Sequence, residues 1–382
     1  MPLRGVRLFS FRSRRCVAAA LLLVAAVAAS GAAAVPLRLV NLHPLHLLYG
    51  VPRSFGAGVM RPGAVEAVAS LDAASQFSRG SAGIPRQPED DATYREDFPG
   101  WAPPGAERIL IDVETYRQAL ALRLGLRERW ELLVEVAALA HVGGAFDRYV
   151  ADWHRAFGLI PGGRQHVPHN RMALYYARDA GRGGVHVDLE GSTAALGDAS
   201  LGVGYALPGS PLGNDGVAVR AALKLPAGNA GLLTGSGGLA AAVWAETSGA
   251  LPGAPMGRPW AYAATLGALA AEAPRGLPKP GRDWLVFGRL GVTWRPLPRL
   301  DLTAQIDAHS SPYSASELPH LAHAAVMYGV GGALRLGEHF SLEVAVTEDM
   351  GDVFRSAPDI GLHVALRWRP PAARAIALAP SV

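Results

Sequence analysis

The chain has 382 residues, half of them hydrophobic, with 45 glycines and only 18% charged side chains. That balance suits many short strands joined by tight turns and excludes a bundle of charged helices. The formal net charge of +4 becomes 4 − 5 = −1 when the five arginines before residue 35 are set aside, which leaves no basic folded face and excludes nucleic acid as a partner.

Residues 1–34 read as an export signal. Arg4, Arg7, Arg12, Arg14 and Arg15 form a positive head, CVAAALLLVAAVAA an apolar stretch, and SGAAA a run of small residues suited to cleavage. The apolar stretch, about 14 residues, falls short of the roughly 20 that a spanning helix needs. Cys16 lies inside it and is the only cysteine, so stability is expected from hydrogen-bonded sheet and packing, without disulfides. Residues 35–62 follow, with His43, Pro44 and a hydrophobic run over 45–49. By analogy with fourteen-stranded transporters of hydrophobic compounds, this segment is a candidate plug.

From residue 63 the dominant signal is alternation. In RWELLVEVAALAHV, Trp130, Leu132, Val134, Val136 and Ala138 share one face, with Glu131, Glu135 and His141 on the other. LDLTAQIDAH, FSLEVAVTED and IGLHVALRW repeat the pattern. Successive side chains of a strand point to opposite faces, so each segment has one apolar and one polar or small face. Strands are expected near 63–72, 109–124, 129–140, 172–178, 184–192, 198–208, 216–226, 238–249, 259–271, 283–295, 299–310, 324–335, 339–348 and 359–369, with a tail over 370–382. The apolar face of the second switches near Thr115.

Either the apolar faces meet in a sandwich core or they meet lipid around a polar lumen. Connections decide. Those at 125–128, 296–298 and 337–338 are tight, whereas those at 73–108, 141–171, 227–237, 311–323 and 349–358 are long, and each long one follows an odd-numbered strand. Short turns on one rim, long loops on the other and aromatics near strand ends (Trp130, Trp284, Trp294, Tyr328, Phe340, Trp368) are the pattern of an outer-membrane barrel. The expected fold is all-β: a single antiparallel transmembrane β-barrel of about fourteen strands over 63–369. Outer-membrane lipid and the barrel-assembly machinery are its expected partners.

The segments RLVNLHPLHLLYGVP, IDVETYRQALALRLGLRERWELLVEVA, GGAFDRYVADWHRAFGLIPGGR, LKLPAGNAGLLTGSGG and PDIGLHVALRW resemble the landmarks of a proteobacterial family catalogued as domain of unknown function 3187. The resemblance covers nearly all of residues 38–369. It is most specific at Asp152-Trp153-His154 and at residues 234–238. It implies an outer-membrane barrel without an agreed activity, so no catalytic residue is carried over.

Two loops hold reactive-looking groups. Over 145–170, Phe146, Tyr149, Val150, Trp153 and Phe157 have helical spacing ending at Gly158. Asp152 and His154 fall about 200° apart on such a helix and cannot share a metal. The expectation is an extracellular loop helix with its aromatics packed into the barrel mouth, where Asp152, Trp153, His154 and the following Arg164 restrict passage. The glycine-rich run 227–238 fails as a phosphate-binding loop because Leu239, not Lys, follows Gly238. It also fails as a nucleophile elbow because Thr234 stands where glycine is needed. Ser236 remains a constriction residue in a loop able to fold inward. By parity Glu131, Glu135, Asp188, Glu190, Arg220, Lys224, Arg289, Asp301, Asp307, Arg335, Glu343 and Arg367 face the lumen, with Glu135, Arg220, Lys224, Asp307 and Arg367 at a constriction. No cofactor or metal is implied. The expected role is passive passage or binding of small molecules. The alternatives are a lipid-acting barrel enzyme using Ser236 with His154 or His309, a structural barrel, and a soluble periplasmic β-protein.

Overall fold

A computed structural model describes residues 36–81, 106–158, 169–178, 184–212, 215–251, 260–277, 281–350 and 356–370. The export signal over 1–34, Arg164 and the tail beyond residue 370 lie outside the described residues. The strands are β1 (Val65–Ser81), β2 (Arg108–Gly125), β3 (Trp130–Val142), β4 (Ala173–Ala177), β5 (Val185–Leu189), β6 (Thr193–Leu196), β7 (Ala199–Ala206) and β8 (Gly216–Leu225). They continue as β9 (Ala240–Ala250), β10 (Trp260–Ala271), β11 (Trp284–Leu297), β12 (Leu300–His309), β13 (Ala325–Arg335), β14 (Phe340–Asp349) and β15 (Ile360–Trp368). Among the described residues the helices of four or more residues are α1 (Pro44–Leu47), α2 (Asp147–Phe157) and α3 (Pro319–Ala322).

Twelve strands close a ring, β1-β2-β3 followed by β7 to β15, and β15 pairs back onto β1 with every contact antiparallel. Closure leaves no sheet edge in the wall. The expected fourteen are thus corrected to twelve. The segments 172–178 and 184–192 do form β4 and β5, but each strand is five residues long, about 17 Å of extended chain and too short to cross. They make a hairpin against residues 108–112 of β2, which rise past the end of β3. β6 leads into β7 through a bulge. Ala138 pairs with Leu196 and Glu135 with Ser200, so one extra residue sits at Gly197-Asp198 and both lean inward. β1 runs to Ser81, which makes strand of residues 73–81, expected as loop.

The face assignment follows from burial. Leu120, Val136, Leu201, Leu290, Val330 and Leu366 are exposed on the outside, while Arg117, Glu131, Arg220 and Asp307 are buried on the inside. Trp130, Phe340 and Trp368 stand exposed at the short-turn end, and Trp284 and Tyr328 toward the other. A sandwich would bury the aliphatic set instead.

The lumen is filled by residues 36–62 of the same chain. Leu37 is bonded to Gln305 on both its N–H and its carbonyl, and Asn41 reaches His309 at the long-loop end. After α1 the chain turns at Gly50, whose φ of +68° excludes most side chains and whose missing Cβ leaves room for Lys224. It then descends past Arg289, which donates to the Pro52 carbonyl, and Arg220, which donates to that of Gly56. Gly63 N–H bonds Gly125 at the short-turn rim. The largest apolar core therefore lies inside the ring, where Leu45, Leu48 and Tyr49 pack on Ile109, Ile111, Leu174, Trp244, Phe287 and Tyr313.

Candidate functional site

Between residues 36–62 and the wall the interior separates into two zones. Toward the short-turn end it is a lattice of ion pairs. Arg123 binds Glu66 at 3.1 Å and Glu131 at 2.8 Å, and Arg220 binds Glu131 at 2.9 Å and also Glu246. Arg367 closes back on Glu66 at 3.1 Å. The inner segment completes the lattice: Met60 N–H donates to Glu131 at 2.9 Å and the Ser54 hydroxyl to Glu246 at 2.6 Å. Phe55 lies under three guanidinium groups, those of Arg38, Arg123 and Arg220, at 4.4, 5.2 and 5.8 Å from its ring centre, each a cation–π contact.

One tier higher, Glu135 receives Arg117 at 2.5 Å and Arg38 at 2.7 Å. Arg53 and His363 share Asp72, with the His363 Nδ1–H donating at 2.6 Å, and the other ring nitrogen lies 3.1 Å from Glu343. Burial draws the Arg38 guanidinium down to about 10, so beside Glu135 it stays charged at neutral pH. Charges of both signs alternate, and each buried ion sits against an opposite partner, the arrangement that offsets desolvation.

Above this lattice a cavity of about 130 Å³ opens between segment and wall. Leu48, Val51 and Phe55 line one side and Leu133, Trp244, Leu269 and Met327 the other, with Arg53, Glu135, Lys224, Asp307 and His309 as polar points. Beside it the glycine-rich loop folds inward: Leu233, Thr234 and Ser236 are buried. Asp198, turned in by the bulge, holds that loop by accepting from Gly228 N–H at 3.0 Å and Ser236 N–H at 3.0 Å. Lys224 donates to Asp198 at 2.6 Å, to Ser236 and to the Gly238 carbonyl at 3.1 Å.

The expected site residues thus divide. Glu135, Lys224 and Asp307 border the cavity, Arg220 and Arg367 belong to the lattice beneath it, and Ser236 anchors the loop at its side. The pairing of Ser236 with histidine is not formed. His309 accepts from Asn41 at 2.9 Å and its other ring nitrogen donates to the Ser310 carbonyl at 3.1 Å, while His154 lies outside the ring. Asp188 and Glu190 are corrected as well: they are exposed, on or next to the hairpin strand β5, and Arg335 sits at the rim against Asp301. Among the described residues no three His, Cys, Asp or Glu side chains gather to hold a metal ion.

The helix at Asp152-Trp153-His154 is the largest correction. Glu348 shares the outward face of β14 with Val344 and Val346, and Glu114 that of β2 with Leu120. Yet Trp153 Nε1–H donates to Glu348 at 3.0 Å and Phe146 N–H donates to Glu114. Helix α2 therefore crosses the outer surface of the wall from β2 to β14 and does not enter the mouth. Asp147, Val150 and His154 form its buried face, and Tyr149 and Phe157, expected inside, are 57% and 64% exposed.

Sequence reasoning missed Glu66, Asp72, Arg117, Arg123, Glu246 and His363 as lattice members, although parity with Glu131 and Arg220 across neighbouring strands marks them as inward. Arg38, Arg53 and Phe55 carry no periodic signal; their contacts exist only because the segment is threaded.

These features define a class: a closed antiparallel β-barrel whose lumen holds its own N-terminal segment. The chain belongs to the family described as Protein of unknown function (DUF3187), whose model matches residues 13–369. Among solved structures it is similar to the COG4313 outer membrane channel from Pseudomonas putida F1, at 13% identity and a TM-score of 0.46, covering 82% of this chain and 98% of that one. It is also similar to the P. putida toluene transporter TodX, at 11% identity and a TM-score of 0.35, covering 81% of this chain and 89% of that one. At such identities the likeness concerns the fold. No curated protein matches the sequence.

Proposed function

We propose that this chain is an outer-membrane barrel, exported by residues 1–34, through which small molecules pass passively, and that residues 36–62 are its plug. The aliphatic outer face, with aromatic side chains toward both ends, supports a lipid setting. In this reading outer-membrane lipid and the barrel-assembly machinery are the partners, and Glu135, Arg220, Lys224, Asp307 and Arg367 with the plug form the constriction.

The observation that carries the proposal is the cavity of about 130 Å³ between plug and wall. An engineered apolar cavity of about 150 Å³ takes up benzene, so the space suits one ring-sized molecule with an apolar body and few polar atoms. Ser236 is tied to Lys224 and Asp198, and among the described residues no histidine bonds it, which disfavours the enzymatic alternative.

Planar-bilayer recordings of the full chain and of a chain lacking residues 36–60 test this. The intact barrel is expected to be nearly closed and the shortened one to conduct steadily, with heat-modifiable gel migration verifying that the ring has formed. A folded, shortened barrel that carries no current would overturn the channel reading in favour of a structural barrel.

A further inference from the structure

Helix α2 lies across one outward row of the wall: Glu114 on β2, Ser75 on β1, Ile360 on β15 and Glu348 on β14, adjacent through successive register pairs. All four are buried, whereas on β14 and β15 the next outward residues toward the short-turn end, Val346 and Leu362, are exposed. Two outward carboxylates are thereby covered at the upper edge of an aliphatic surface.

The height of this edge is measurable. Phe340 and Trp368 pair at the short-turn end, and Glu348 stands eight residues along β14 from Phe340 (340 to 348). At about 3.4 Å per residue and a tilt of about 40°, this is roughly 20 Å of height, within the roughly 25 Å of an apolar band. A second observation gives the same level. Below Thr115 the outward residues of β2 include Leu120, Leu122 and Leu124, and above it they are Glu114, Asp112, Leu110 and Arg108, three of the four charged.

The helix itself has three faces. Asp147, Val150 and His154 meet the wall. Tyr149, Trp153 and Phe157 form a stripe along one flank, with neighbouring ring centres 6.4 and 4.4 Å apart. Exposed Arg148, Asp152 and Arg155 line the other flank, roughly 130° round the helix axis at about 100° per residue. Aromatic side chains favour the boundary between acyl chains and headgroups, and a helix with one aromatic and one charged flank lies in that plane.

We propose that α2 is an interfacial helix, strapped to the outside of the barrel at the outer-leaflet boundary, with Tyr149, Trp153 and Phe157 inserted into lipid. This rests on the membrane reading above, and continuity with the aliphatic surface below the row selects lipid as the occupant.

The test uses the full chain carrying Cys16→Ser with single cysteines at Phe157 (F157C), Arg148 (R148C) or Val330 (V330C), each labelled with an environment-sensitive dye and reconstituted in phosphatidylcholine vesicles. The vesicles contain lipids bearing a nitroxide either near the headgroup or deep in the acyl chain. The F157C probe is expected to be quenched more by the shallow nitroxide and to react several-fold more slowly with aqueous dithionite than the R148C probe. The V330C probe is expected to be quenched by the deep nitroxide. Equal water access at F157C and R148C, with V330C still quenched by lipid, would overturn the interfacial helix and leave the membrane reading intact. Loss of lipid quenching at V330C would instead overturn the membrane reading. Self-quenching at F157C that rises with protein density would assign the stripe to a second copy and overturn lipid as its occupant.

Discussion

At the scale of single residues the interior is organised by charge. Arg220 touches Glu131, Glu246 and the Gly56 carbonyl, so it joins two wall carboxylates to the inner segment. Arg220→Met keeps much of the side-chain length but leaves Glu246 without its arginine and Glu131 with Arg123 alone. Removing one member of a buried pair costs about 3–5 kcal/mol, so the midpoint of urea unfolding in detergent is expected to drop clearly. Adding Glu131→Gln and Glu246→Gln to the same chain should recover part of that loss. A lone Arg220→Met chain as stable as the parent would mean that the lattice contributes little. Parity makes Arg220 legible as inward from sequence. Its partners on the threaded segment are not legible, because no local pattern says which loop segment will lie beside a given wall position.

At the scale of elements, α1 carries a pH dependence. Burial above all, then the nearby His320 and His309, hold the His43 imidazole down at about 3. His46, 4.9 Å from it between ring centres, is also held well below the usual histidine range by burial and then by His43 and His309. A histidine with a folded pKa below its unfolded value of about 6.5 stabilises above that value, and the contribution is lost as pH falls from there toward the folded pKa. Residues 41–49 should therefore exchange their amide hydrogens more readily, relative to the intrinsic rate, near pH 5 than near pH 7.5. His43→Gln with His46→Gln should flatten that difference, and an unchanged native ratio across the two conditions would count against the coupling. The wall strands were legible in outline because period-two alternation survives any register. The hairpin of β4 and β5 differs from the expectation because alternation marks a strand without marking a crossing, and each of these strands is only five residues long. For α2, helical spacing correctly gave an amphipathic element ending at Gly158, and the aromatic stripe was taken for the buried face. The buried face is set instead by Glu114 and Glu348, outward carboxylates whose partners lie far along the chain.

For the whole molecule, the distribution of aliphatic side chains makes a prediction about depth. Val330 is 61% exposed and points outward from the middle of β13, while Leu336 lies in the turn at the short-turn rim. Val330→Arg is expected to destabilise the barrel in vesicles by about 2–4 kcal/mol and Leu336→Arg by about 0–1 kcal/mol. Reversible unfolding from lipid vesicles measures both, and equal effects at the two positions would argue against a lipid belt at this height.

The threading of residues 36–62 also constrains the order of assembly. Arg38 bonds Glu135 on β3 and Glu343 on β14, contacts separated by 97 and 305 residues, while Gly63 ties the same segment to the foot of β1 and β2. The seam of the cylinder joins β1 to β15, the first strand to the last. If that seam zipped before the doubled segment had entered, the segment would have to thread in through an open end of the cylinder, past charged side chains that it is itself needed to satisfy. Enclosure before the final zipping step avoids that passage. A maturing barrel that held its seam open would keep a window in which the lumen could still accept its contents.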